Sequence, residues 1–219
     1  MTGDTAQLDA VITAVHRIPE ENFTAYRGGH PGEISSALVD AVYSMRATYD
    51  SKTPNRGVLN RVRNFRQKNP EAINDLSALI ALGSDSLENL MGSAKTGGRL
   101  KATAVIEAAE RYRAADVNTA EHFRDFDRVQ AKKIYTGVRG LGSETFEYFS
   151  MLLGIPGVKV DVMIKRFVAT ALDAAGLDDV NPASARQLIE DAYERTQWGE
   201  TLTHFDHAIW LSESRPTDN

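Results

Sequence analysis

The chain has 219 residues, 42% hydrophobic and 25% charged, with 25 basic against 30 acidic side chains, a formal net charge of −5 and no cysteine. That is enough chain for one large domain or two small ones around a proper core, and without cysteine it has neither disulfides nor a thiolate cluster. No apolar run is long enough to span a bilayer, and MTGDTAQLDA has neither the basic region nor the apolar core of a signal peptide, so a cytoplasmic protein is the expectation.

In chain order, Leu8, Val11, Ile12 and Val15 form an amphipathic stripe, and Pro19 ends that helix. Residues 23–31 (FTAYRGGHP) read as a loop on their glycines and proline. Over 33–49, Ile34, Leu38, Val42 and Met45 fit one helical face beside Ala37 and Ala41. Residues 52–68 carry Lys52, Arg56, Arg61, Arg63, Arg66 and Lys68 without an acidic residue, while Val58, Leu59, Val62 and Phe65 recur at helical spacing. This predicts a helix with a cationic outer face, either solvated or laid against nucleic acid.

Pro70-Glu71 opens a short helix through Ile73, Leu76, Leu79 and Ile80, and Asp85-Ser86-Leu87-Glu88 reads as a capping box for 87–91. Residues 95–102 open another helix, with Ala104, Val105, Ala108 and Ala109 inward, and 117–126 read as connecting structure. No stretch has a strand pattern.

Residues 134–168 are the centre of the sequence. An apolar lead-in with Ile134 and Val138 reaches the turn Gly140-Leu141-Gly142, then a helix start at Ser143-Glu144-Thr145. The glycines permit positive φ and close approach of a phosphate, and the unsatisfied N–H groups of the helix start make an anion site. Phe146, Phe149, Leu152 and Leu153 bury one face of that helix, which Gly154, Pro156 and Gly157 stop. The run Val158-Lys159-Val160 delivers Asp161 to a new helix carrying Ile164, Phe167, Val168 and Leu172 inward, with Gly176 as its C-terminal cap. Asn181-Pro182 starts a helix to about Thr196, and 202–211 form the last.

The hairpin Gly140-Leu141-Gly142-Ser143-Glu144-Thr145, followed about twenty residues on by Val160-Asp161 and Arg166, resembles the helix-hairpin-helix (HhH-GPD) DNA glycosylases. Lys101-Ala102 and the closing Phe205-Asp206-His207-Ala208-Ile209-Trp210 are also similar to that superfamily. The resemblance implies an all-α, two-lobed glycosylase-like fold. One lobe spans 33–157 and ends in the hairpin at about 134–153; the other joins 1–32 to 158–219, with double-stranded DNA across the cleft between them. The family's iron–sulfur cluster is excluded by the absence of cysteine. A monovalent cation on the carbonyls of 137–142 is implied as an option, and no other cofactor or metal.

The family's wedging glutamine is replaced here by Arg46, which can still reach into a duplex or hold a phosphate. Backbone N–H groups of Gly140, Leu141, Gly142, Ser143 and Thr145, with Arg139, Lys133 and Lys159, are the expected DNA contacts. Asp161 is the expected catalytic carboxylate, and its spacing alone equally fits an N-cap. Glu144 occupies the position where bifunctional relatives carry lysine. A carboxylate forms no imine, so the expected activity is monofunctional, water-using base excision. Glu144 is otherwise a first-turn acid favoured by the helix dipole, and its charge near phosphates fits a non-catalytic DNA-binding relative as well.

Residues 171–219 hold ten acidic and three basic side chains, leaving 22 basic against 20 acidic in the first 170. Both DNA readings therefore rest on local charge. A helical protein-interaction domain is the third alternative, favoured where the basic stretch faces away from the hairpin. Tyr43, Tyr49, Trp198 and Trp210 suit either a base pocket or the core, and His204 with His207 either a metal or the surface.

Overall fold

The computed structural model describes residues 2–26, 28–53 and 56–214. Arg27 of the 23–31 loop and Pro54-Asn55 of the basic stretch lie outside the described residues. Among those described, the chain is all-α: eleven α-helices, two 3-10 turns (Glu20–Thr24 and Pro70–Ala72) and one minimal antiparallel ladder. No helix among them is long and apolar enough to cross a membrane.

Two compact units divide the chain, Gly28–Ile155 and Met1–Arg27 with Pro156–Asn219. The first carries 17 basic against 15 acidic side chains, a net +2; the second carries 8 against 15, a net −7.

Gly28–Ile155 is built on α2 (Ile34–Tyr43), all ten residues of which are buried. Packed around it are α3 (Val58–Lys68), α4 (Leu76–Met91), α5 (Lys101–Arg113) and α8 (Ser143–Leu152). Within α2 the carboxylate of Asp40 accepts from Tyr49 Oη (3.0 Å) and Ser44 Oγ (2.8 Å), and lies 3.0 Å from His30 Nε2. The helix stops at Tyr43 rather than continuing to 49. Arg46 turns left-handed (φ 51), and buried Lys101 donates from Nζ to the carbonyls of Tyr43 (3.0 Å) and Met45 (2.6 Å). Burial lowers the Lys101 pKa, and those carbonyls take two of its three protons.

Three further elements depart from the sequence pattern. α4 is two segments joined at Gly83 (φ 78, ψ 164), two residues before the expected capping box, and its real N-cap is Asp75, which accepts from the Ala78 amide. A two-residue ladder, β1 (Lys95–Thr96) and β2 (Arg99–Leu100), closes around Gly97-Gly98. The stretch expected to be connecting contains α6 (Ala120–Asp125), capped by Thr119, before α7 (Arg128–Thr136).

The second unit packs α1 (Thr2–Val15), α9 (Val162–Ala174), α10 (Pro182–Thr196), α11 (Leu202–Ser214) and the Glu20–Thr24 turn. Its core joins Val11, Val15, Phe23, Val158, Val160, Ile164, Val168, Leu172, Ile189 and Phe205. Asn181 caps α10 by accepting from Ala183 and Ser184 amides, and α9 ends in a turn where Gly176 takes φ 68 and Leu177 N–H reaches the Leu172 carbonyl.

Candidate functional site

In Gly28–Ile155, α7, residues 137–142 and α8 form a helix, a hairpin and a helix. Glu147, on the buried face of α8, receives Arg128 (2.5 Å) and Lys132 (3.0 Å) from α7, tying the helices together. Both cations also lie over the Phe146 ring, at 5.4 and 6.0 Å from its centroid. Beneath them Tyr135 stacks on Phe149, with centroids 5.7 Å apart and planes at 16°. Leu141 is buried against this cluster and its N–H donates to the Val138 carbonyl at 3.0 Å, so side chain and amide both anchor the turn, against the expectation that this amide meets a phosphate.

Gly140 takes φ +93, and a Cβ there would sit 2.9 Å from the Thr96 carbonyl carbon. A Cβ on Gly97 would sit 2.8 Å from Gly140 Cα, and Thr96 Oγ1 donates to the Gly140 carbonyl at 2.7 Å. The β1–β2 turn thus buttresses the hairpin backbone to backbone. On the α8 side Thr145 Oγ1 accepts from Gly142 N–H (3.1 Å), so the Thr145 side chain too is structural. Gly142, Ser143 and Glu144 are exposed, and the N–H groups of the first turn of α8 have no acceptor within the helix.

The cations at this end exceed those legible in the sequence. Arg139 and Lys133 are exposed as expected, and Arg139 Nη2 would be 3.5 Å from a Cβ on Gly98. Exposed Lys95 precedes the same turn. Arg99 and Arg111 grip Glu107 from two sides, and Arg111 Nη1 lies where a Cβ on Gly137 would be only 2.8 Å away. The pair Gly97-Gly98 is the one sequence signal that marks this turn. Arg46 is exposed in the left-handed turn held by Lys101. Part of the basic stretch is committed elsewhere: Arg61 donates to the Met91 carbonyl (2.5 Å) and Arg66 pairs with Glu33 (2.5 Å).

The other unit holds Asp161. Val158 and Val160 are buried in its core, and this extended run sets Asp161 at the start of α9. Asp161 Oδ1 accepts from the Met163 (2.8 Å) and Ile164 (3.3 Å) amides, the geometry of an N-cap. Oδ2 is turned away from that pair, 4.0 Å from Lys159 Nζ, and the side chain keeps 21% of its surface. Arg166 joins α9 to α11 through the Glu213 carboxylate at 2.5 Å. Asp206, 6% exposed on α11, accepts from Lys159 N–H at 3.0 Å. Burial pushes its pKa up to about 8, and the Asp161 charge adds to that, against the Lys159 amide.

Aromatic groups also cluster here. Trp198 meets Phe23 edge-on at 5.1 Å and His16 at 4.9 Å, Tyr26 meets His204 edge-on at 5.2 Å, and His207 stacks on Trp210 at 5.7 Å. Burial, reinforced by His204, lowers the His207 pKa. Tyr43 is buried in the first unit and Tyr49 there serves Asp40. Among the described residues no three His, Cys, Asp or Glu side chains are grouped to hold a metal ion.

A family model described as Domain of unknown function (DUF8548) matches residues 6–214. The chain belongs to that family. None of the curated proteins compared with it matches. The match spans both units, so hairpin and Asp161 fall within one family domain.

Proposed function

We propose that the chain is a monofunctional DNA N-glycosylase with a helix-hairpin-helix glycosylase-like fold, acting on a base turned out of double-stranded DNA. The observation that carries the reading is Asp161. One carboxylate oxygen fixes the side chain to the start of α9, while the other, 4.0 Å from Lys159 Nζ, takes no part in the cap.

A base buried in a duplex is reached by gripping the flanking phosphates and rotating the nucleotide out. The Leu141 and Gly142 amides are already given to the Val138 carbonyl and Thr145 Oγ1, so the grip falls to Gly140 N–H and the first turn of α8, with Arg139, Lys133 and Lys95 adding charge. As the N-glycosidic bond breaks, the sugar gains oxocarbenium character. The Asp161 carboxylate stabilises that charge and orients or deprotonates the attacking water. Glu144 forms no imine, so the product is an abasic site without strand scission. A monovalent cation at the hairpin fits the carbonyls of Val138 and Gly140, each of which accepts one hydrogen bond and keeps a second lone pair, whereas the Gly142 carbonyl already accepts from both Thr145 Oγ1 and Phe146 N–H.

The exposed Glu144 on the hairpin favours a second reading, a DNA-binding relative without chemistry. The two separate on a panel of duplexes carrying lesions and mismatches. Release of a base, seen as strand cleavage only after alkali, supports the glycosylase; salt-sensitive binding with no release from any duplex supports the second reading.

A further inference from the structure

Asp206 touches the Asp161 segment through the backbone. Its Oδ1 accepts from Lys159 N–H at 3.0 Å, and the Lys159 carbonyl in turn accepts from Asp161 N–H at 2.6 Å. Both flanking residues, Val158 and Val160, are buried. The segment is therefore held both by apolar side chains in the core and by one carboxyl oxygen from α11. Without the second, the Lys159 amide would be left without its acceptor beside the core, a costly arrangement relieved by moving the chain.

We propose that Asp206 is a positioning residue for Asp161: by holding the Lys159 amide it fixes the segment that places the Asp161 carboxylate at the start of α9. The inference rests on the glycosylase reading for its activity arm, and on geometry alone for its structural arm.

The chemical state of Asp206 makes this role testable. The charges facing it are Asp161 and Lys159 from the preceding segment and Arg186 from α10. Glu20 and Glu21 of the packed 3-10 turn are exposed to solvent, and Arg166 of α9 is paired with Glu213. Burial holds Asp206 in its uncharged form below about pH 8. There its carbonyl oxygen accepts from Lys159. Above that pH a buried negative charge forms that strengthens the bond from Lys159 N–H and repels the Asp161 carboxylate, so the segment and Asp161 respond together. Asparagine reproduces the uncharged acid, with an acceptor oxygen and no titration, whereas alanine removes the acceptor.

The test follows the amides of Lys159, Asp161 and Met163 by NMR in the full chain across roughly pH 6 to 9.5, alongside base release. In wild type these amides should shift together with a midpoint near 8. In Asp206→Asn the inflection should vanish while the low-pH positions match wild type, and release should lose its high-pH decline. Asp206→Ala should lower the rate of base release about 10- to 100-fold at unchanged DNA affinity. An inflection that persists in Asp206→Asn overturns the proposal, as does full activity with unmoved amides in Asp206→Ala. If Asp206→Ala does not fold, Asp206→Asn decides alone. Should no duplex release a base, a coupled inflection in the amides still sustains the positioning role while the glycosylase reading falls. Release indifferent to Asp206 leaves that reading standing and removes this one.

Discussion

In Gly28–Ile155 two acidic groups near the hairpin are spent internally, Glu147 clamping α7 to α8 and Glu107 holding Arg99 and Arg111, while Glu144 at the start of α8 is exposed. Arg139, Lys133 and Lys95 are left at the surface beside the turn. In the other unit the balance is reversed. Net charge is −7, and its central feature is a pair of carboxyl groups, one partly buried at a helix start and one buried. Net charge is thus a poor guide to what either region can bind. What decides is which charges already have partners, since only the remainder is available to a phosphate or a developing cation.

The comparison is broken most severely at Asp161. Asp161→Asn should reduce base release by about 10³-fold, the loss of a positioned charge in the transition state. Because asparagine caps helices about as well as aspartate, stability should change by less than about 1 kcal/mol, readable from thermal melts. Next in size is the hairpin frame. Gly97→Ala places a Cβ 2.8 Å from Gly140 Cα at a φ of +57, so it should destabilise Gly28–Ile155 by roughly 2–3 kcal/mol in urea and weaken DNA binding.

A third effect sharpens the contrast between the two carboxyl groups. Asp206 has its folded pKa raised to about 8 from 3.8, so the unfolded chain sheds that proton first and stability falls as pH climbs through this window. Urea titrations should show Asp206→Asn nearly equal to wild type near pH 4 and more stable by roughly 2–5 kcal/mol above pH 8. Smallest is the surface. Arg139→Ala should weaken DNA binding about 3- to 10-fold and reduce the salt slope by about one, with base release at saturating enzyme unchanged.

Where a signal is local, the sequence carried it to within a residue or two. Asn181-Pro182 fixes the start of α10 because the capping oxygen and the amides it satisfies are neighbours in the chain. Asp161 is the same case, since its place ahead of Val162-Met163-Ile164 already fitted the N-cap that it forms. α2 was read six residues too long because its stop depends on Lys101, 58 residues away from Tyr43, and on a left-handed Arg46 that no periodicity reveals. α6 has six residues and β1 and β2 have two each, too short for any period to register. The basic stretch looked uniformly outward in sequence, but Arg61 and Arg66 reach across to Met91 and Glu33. Asp206 was read only as part of the closing helix, since what distinguishes it is burial beside Lys159, a contact spanning 47 residues.

The central claim is that Asp161 performs chemistry on DNA which the hairpin holds. It is tested most directly by single-turnover base release and DNA affinity measured side by side for wild type, Asp161→Asn and Arg139→Ala on the duplex panel. The account predicts release abolished with affinity retained in Asp161→Asn, and affinity weakened with release restored at saturation in Arg139→Ala. Asp161→Asn releasing base at the wild-type rate, or losing affinity and fold in parallel, would contradict it and leave Asp161 as a helix cap alone.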